Sequence, residues 1–380
     1  MSWEKVKLGD AATFINGYPF KPTEWTDDGK EIIRIQNLTK STSQSNYFEG
    51  TIPEKYLVKK GDLLISWSAT LGIYEWDGED AWLNQHIFKV VFDKKQIDKT
   101  YFKFLIVSKL EELKKQVHGA TMQHITKGKF DNISIPLPPL EVQKQIADTL
   151  DKADELRKKD ELLLKKYDEL AQSIFYDMFG DPVENEKGWE VKNLKDLCIQ
   201  ITDGTHFSPP SVASGIPYVT AKHIKKTGVD FYSNPTFVAE EHHREIYSRC
   251  KPSKGDILYI KDGATTGIAA INNYDFEFSM LSSLALIKPK TDVLNNMYLK
   301  YWLNNEIVKN RYINEFMAGA AIQRFTLSKI NQFKINVPPL HLQNSFDKKM
   351  DLIERSYILQ LTTKEHNNHI FNGLLNNYFS

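Results

Sequence analysis

Gly119-Ala120-Thr121-Met122-Gln123-His124-Ile125-Thr126 is answered 200 positions later by Gly319-Ala320-Ala321-Ile322-Gln323-Arg324-Phe325-Thr326. The same offset carries Pro138-Pro139-Leu140 onto Pro338-Pro339-Leu340, Gln143 onto Gln343 and Phe179 onto Phe379. Working outward, Lys60-Gly61-Asp62-Leu63-Leu64 returns as Lys254-Gly255-Asp256-Ile257-Leu258, and Trp3-Glu4 with Leu8-Gly9-Asp10 as Trp189-Glu190 with Leu194-Lys195-Asp196. The matches stay in order while the offset widens from 186 to 200, which places small insertions in loops of a second copy. Self-similarity at a fixed period is a statement about architecture. The chain is two copies of one unit.

Within each copy the texture changes at the double proline. Before it lie short apolar runs bounded by Gly-Asp, Asn-Gly and Asp-Gly turns, such as Asp62-Leu63-Leu64-Ile65-Ser66-Trp67 and Asp256-Ile257-Leu258-Tyr259-Ile260. These read as strands with interspersed helices, an α+β domain. Prolines close it, because they continue neither a helix nor a central strand. Residues 141–179 then contain no Gly or Pro and read as one helix, roughly 58 Å long at 1.5 Å per residue. Seven-residue spacing runs through Ile146, Tyr167 and Ile174, and through Leu156, Leu163 and Leu170, with a polar break at Asp160. The second copy repeats the rhythm at Phe346, Ile353, Tyr357 and Leu374. The expected layout is 1–140, helix 141–180, 181–340, helix 341–380. Two like domains joined by two long helices of one rhythm suggest a pseudo-twofold object with the helices in an antiparallel coiled coil. The alternative is two amphipathic helices, each lying on its own domain.

The chain has 380 residues, 41% hydrophobic, which is ample for more than one folded core and excludes a disordered chain. No stretch reaches the 18 or so consecutive apolar residues of a membrane span, and the first residues lack a signal peptide's apolar run. Two cysteines, Cys198 and Cys250, make no disulfide framework and fit no zinc spacing. A reducing cytoplasm is the expected compartment. With 49 basic and 49 acidic residues, any polyanion site must come from local clustering.

A catalytic constellation is not legible. Gly263-Ala264-Thr265-Thr266-Gly267 lacks the lysine of a phosphate loop, and no dinucleotide fingerprint follows a strand. The pair His242-His243 does not present both rings to one metal. Glu184-Asn185-Glu186-Lys187 reads as a solvated linker in preference to a nuclease carboxylate–lysine set. Asp203 and His206 have the look of metal ligands, but a turn held by Asp203 and Gly204 is the simpler reading. Binding is the default, and two like domains at a fixed separation suit a split DNA site.

Ile201-Thr202-Asp203-Gly204-Thr205-His206-Phe207-Ser208-Pro209-Pro210 followed by Gly215-Ile216-Pro217-Tyr218-Val219 looks like the opening of a target-recognition domain. Ile133-Ser134-Ile135-Pro136-Leu137-Pro138-Pro139-Leu140-Glu141-Val142-Gln143 resembles the junction into a spacer helix. With the tandem repeat, the whole chain resembles the specificity subunit of Type I restriction–modification enzymes. The resemblance implies two target-recognition domains, each reading half of a bipartite double-stranded DNA sequence across a gap set by the spacer. It also implies two modification subunits that bring S-adenosylmethionine, and restriction subunits that use ATP and magnesium. The chain itself would be non-catalytic and cofactor-free. One departure is that Leu340-His341-Leu342-Gln343 lacks the acid found in Leu140-Glu141-Val142-Gln143. The competing class is a protein-interaction scaffold whose domains read no DNA.

Candidate DNA contacts follow from residue chemistry. Gly lets a backbone approach closely, Gln pairs bidentately with adenine and Arg with guanine. This singles out Gln123, His124, Lys127 and Lys129 in the first loop, and Gln323, Arg324 and Lys329 in the second. These loops equally suit a brace for the helix start. Lys59 and Lys60, and the group Lys222, His223, Lys225 and Lys226, are either phosphate contacts or ordinary solvated surface. Ser66, Asn84 and Gln85 in the first copy, and Lys261 in the second, fall where the copies diverge, as different half-sites require and as loop drift also permits.

Overall fold

The computed structural model describes residues 3–42, 44–68, 70–116, 126–317 and 324–379. The chain divides into two compact units, Met1–Lys159 with Thr363–Ser380, and Asp160–Thr362.

In the first unit a four-stranded antiparallel sheet runs in the order Thr13–Asn16, Ile87–Val91, Leu63–Ser66, Gly72–Glu75. A second sheet has the order Tyr47–Phe48, Lys30–Ile33, Ala81–Leu83, Leu57–Val58, with one parallel pairing, Ile32 to Trp82. The helix Lys99–Gln116 lays Tyr101, Phe102, Phe104 and Leu105 against the first sheet. That core is closed by Leu150 and Ala153 of the first long helix and by Phe371, Leu375 and Phe379 of the last. Phe104 meets Phe371 with ring centroids 5.8 Å apart, and Tyr101 meets Phe379 at 5.4 Å. Edge-on aromatic pairs of this kind add about 1 kcal/mol beyond the area they bury.

The second unit repeats the plan. Its antiparallel sheet runs Cys198–Asp203, Leu284–Pro289, Ile257–Ile260, Ala269–Ile271. A smaller sheet again contains one parallel pairing, Tyr218 to Ser279. One difference lies in the covering helix, which is split into Asn296–Asn304 and Glu306–Met317. Asn305 splits it by accepting the backbone N–H groups of Ile307 and Val308 on its own Oδ1, as a helix N-cap does. Both cysteines are free and buried, and burial pushes each thiol up to about 12.

The long helices are Leu140–Phe179 and Leu340–Phe379. Each starts directly after a Pro-Pro pair, where the missing N–H costs nothing and the fixed φ suits a first turn. The first stops at Gly180, whose φ of +75° is open to glycine and strained for other residues. In the second unit the helices are antiparallel: Asp160 accepts from Gln360 at 2.7 Å, Tyr167 meets Tyr357 at 6.5 Å, and Phe175 meets Phe346 at 5.7 Å. In the first unit Arg157 donates to Asn368 at 2.8 Å and lies 4.3 Å over the Phe371 ring.

The seam departs in part from the expected one. Ile146 and Phe346 are buried, and Tyr167, Ile174, Ile353, Tyr357 and Leu374 half-buried, but Leu156, Leu163 and Leu170 are 50%, 38% and 47% exposed. The second series sits one residue later, at Gln143, Leu150, Arg157, Leu164 and Ala171, of which only Arg157 is not fully buried. A seam alternates steps of three and four residues. The order of those steps decides which neighbour faces in, and Leu162-Leu163-Leu164 offers the same side chain in every register.

Candidate nucleic-acid interface

Each main sheet ends on a glycine beneath which no side chain fits. A Cβ on Gly17 would lie 2.1 Å from the Asn84 carbonyl oxygen, and one on Gly204 1.8 Å from that of Met280. The next residues, Tyr18 and Thr205, bond in the same way to Leu83 and Met280 and form equivalent parallel bridges. These corners therefore superimpose two local sites. In the first, Asn16 accepts the indole N–H of Trp67 at 3.2 Å, and Trp67 lies 5.7 Å from the His86 ring and 5.7 Å from Phe88. In the second, Asp203 stands where Asn16 does and Lys261 where Trp67 does.

Asp203 is 2% exposed and gathers three basic groups. Arg249 Nη2 donates to its Oδ1 at 2.8 Å, while Lys261 Nζ and His206 Nε2 each lie 3.3 Å from Oδ2. Lys261 is itself 2% exposed, whereas the Arg249 and His206 side chains are about half exposed, at 53% and 52%. The strand end of Cys198–Asp203, the turn after Ile257–Ile260 and the C-terminus of the helix Glu240–Arg249 supply these groups. Arg324 joins through the next residue, with its Nε 3.5 Å from Asp262, and Phe325 N–H donates to the Lys261 carbonyl at 2.7 Å. The expected residues Lys261 and Arg324 are thus brought together. Asp203, His206 and Arg249 were not singled out for DNA. The separations of Arg249 and Lys261 from Asp203, 46 and 58 residues, follow no helical or strand period, and only the folded chain reveals them.

The other expected contacts are scattered. Gln123, His124 and Gln323 lie outside the described residues. Lys127 pairs with Asp131 at 2.6 Å on its own short helix, and Lys129 is exposed there. Lys329 donates to the Phe316 carbonyl at 2.6 Å. Lys59, Lys60 and Lys225 are exposed. Lys222 donates to Asn234 and Thr236, and Lys226 lies 3.5 Å from Glu306.

Besides Lys261, three expected contacts turn inward. Ser66 is buried and donates to the Thr70 carbonyl, and Asn84 is buried with Oδ1 receiving the His86 N–H. His223 is wholly buried, its Nδ1 accepting from Thr220 N–H at 2.9 Å and its Nε2 lying 2.9 Å from the Asn234 carbonyl. Burial holds that ring below the usual histidine range, which favours the neutral form these bonds require. Each of these polar side chains satisfies a turn's backbone instead of facing solvent. Gln85 is half-buried, with its Oε1 enclosed and unpartnered among the described residues.

A family model described as the Type I restriction modification DNA specificity domain matches residues 1–168 and again 186–369. The chain belongs to that family. Among curated specificity subunits, it is 23% identical over 385 residues to the Escherichia coli Type I restriction enzyme EcoBI specificity subunit, covering 92% of this chain and 79% of that one. It is also 23% identical to the MjaVIII specificity subunit of Methanocaldococcus jannaschii, covering 96% and 88%. The fold is that of the M. genitalium Type I restriction–modification S subunit crystal structure, with a TM-score of 0.60 at 17% identity, covering 100% of this chain and 96% of that one. A structure reported for complex assembly and conformational transition of the Type I system matches with a TM-score of 0.55, at 18% identity and 98% and 96% coverage. The two family matches are the two copies seen in the repeat, and their role is DNA specificity, not catalysis.

Proposed function

We propose that this specificity subunit reads a bipartite double-stranded DNA sequence, one half through residues 1–140 and the other through 181–340, with the gap set by the spacer helices. The observation that carries this reading is one scaffold built twice with different chemistry at its corner, Asn16 and Trp67 against Asp203, Lys261 and Arg249. Two copies that bound DNA only through its backbone would have no need to differ there, because phosphates carry no sequence.

Its partners are two modification subunits and restriction subunits, which bring S-adenosylmethionine, ATP and magnesium, and the complex works in the cytoplasm. Leu162, Leu163, Leu170, Leu352, Ile358 and Leu359 are exposed on the long helices of the second unit. Apolar side chains left in such number on a helical pair support a protein partner there. Among the described residues no helix is long and apolar enough to cross a membrane.

The test is selection from a random duplex pool, using the chain with its modification subunit. Two short motifs at one fixed gap are the expected result, and a one-heptad insertion in 141–180 is expected to widen the gap and leave both motifs intact. Salt-sensitive binding without a motif would make the chain a scaffold, and an unchanged gap would end the ruler.

A further inference from the structure

Arg249 is the last residue of its helix, half exposed, and only its Nη2 is engaged among the described residues. In the tautomer in which His206 Nε2 donates to Asp203, the second Nη2 proton is free and pairs with Nε or Nη1 as a two-donor edge, on the rim of an open depression of about 360 Å³ that His206, Phe207 and Glu245 also line. The carboxylate that holds Nη2 is itself enclosed and paired. Asp203 is 2% exposed, ends a strand in register with Ala285, and has its second oxygen 3.3 Å from the buried Lys261. A buried carboxylate with one buried ammonium partner is neutralised, so it holds one nitrogen of the guanidinium from behind without cancelling its charge.

That construction answers the question of what the arginine is for. A phosphate contact asks for charge and tolerates a mobile lysine, whereas a base edge asks for a fork held at one angle. Among the described residues the first copy shows no such device: the corresponding pair is the uncharged Asn16–Trp67, and Lys55, at the offset of Arg249, lies 4.8 Å over the Tyr56 ring. A device present in one copy alone serves a difference between half-sites. Fixing the side chain before binding also removes ordering cost from association.

We propose that Arg249 reads a guanine of the half-site recognised by the second unit, and that Asp203 is the positioning residue that aims it, with Lys261 neutralising Asp203 from below. The inference rests on the DNA-reading function proposed above. It adds a specificity-determining pair and the base it selects.

The test uses the full complex with its modification subunits and the same random-duplex selection, run on wild type, Arg249→Lys and Asp203→Asn. In wild type one position of one motif is expected to be guanine. Arg249→Lys is expected to relax that single position by about 10-fold or more, leaving the other motif and the gap unchanged. Asp203→Asn is expected to relax the same position. Because Arg249 is half exposed, Arg249→Lys decides the matter even if Asp203→Asn fails to fold. An unchanged motif in Arg249→Lys, or a uniform loss of affinity with base preferences intact, overturns the assignment while the DNA-reading function stands. A wild type that selects no motif overturns both.

Discussion

Gln143 and Gln343 sit at the start of the two long helices and do the same work atom for atom. Gln143 accepts the Asp98 N–H at 2.9 Å and donates to Gln96 and Pro138 carbonyls; Gln343 accepts the Asn295 N–H at 2.8 Å and donates to those of Val293 and Pro338. Nearby, Tyr101 donates to the Pro136 carbonyl of the strand Ser134–Pro136 and Tyr298 to the Asn336 carbonyl of Lys334–Val337, each at 2.8 Å. At the corner of the main sheet the copies part company, and a neutral hydrogen bond in one is an ion cluster in the other. The contrast shows which positions carry the fold and which are free to carry a message. Backbone groups are the same in any sequence, so the two glutamines that satisfy them at the helix starts are duplicated, while the corner side chains, which pair with one another, differ.

The comparison is sharpest at the corner itself. Lys261→Met leaves Asp203 buried with less compensation and is expected to cost about 4 kcal/mol in a denaturant titration. Trp67→Phe removes one hydrogen bond at the equivalent place and is expected to cost about 1 kcal/mol. Equal costs would show that the two corners are energetically alike. At the duplicated brace, Gln143→Ala and Gln343→Ala are each expected to cost about 3 kcal/mol, since each removes three hydrogen bonds to backbone groups. Costs that differ severalfold would break the claim of duplication.

On the first long helix, Leu164→Ala is expected to cost about 2 kcal/mol and the neighbouring Leu163→Ala within about 0.5 kcal/mol. The reverse order would restore the expected seam. The smallest effect concerns acid. Thr220 N–H is capped by the His223 ring, and Arg34 N–H at the corresponding place by the Asn37 carbonyl oxygen at 3.0 Å. Burial depresses the folded-state affinity of His223 for a proton, so its contribution is complete above the unfolded value of about 6.5 and falls as pH drops below it. His223→Asn is expected to flatten that decline in a pH series of melting curves, and Asn37→Ala to leave it unaltered.

Much of this architecture was legible in the order of residues. Pro138-Pro139 and Pro338-Pro339 mark where strands give way to helices, and the matched Gly-Asp turns mark equivalent strands. These signals are local, fixed by what a proline ring or a glycine φ permits. The helical register was legible only in part, because steps of three and four are equally helical and the leucines fill both registers. The ion cluster was not legible, since Asp203 and Lys261 meet through strand pairing over a long separation and Arg249 reaches them from a helix. The basic groups that drew the eye, Lys222-His223 and Lys127, proved to be occupied by their own neighbours.

The division of the chain has a consequence for its birth. The second unit is contiguous, Asp160–Thr362, while the first needs Phe371, Leu375 and Phe379, translated after the whole of the second unit, to close its core. During synthesis at about 5–20 residues per second, the N-terminal sheets would wait roughly 10–40 s for that closing turn of helix. The unit begun first is finished last. A ribosome that stalls late in the message therefore releases one sealed unit and one with an open apolar flank, a ready target for chaperones and proteases.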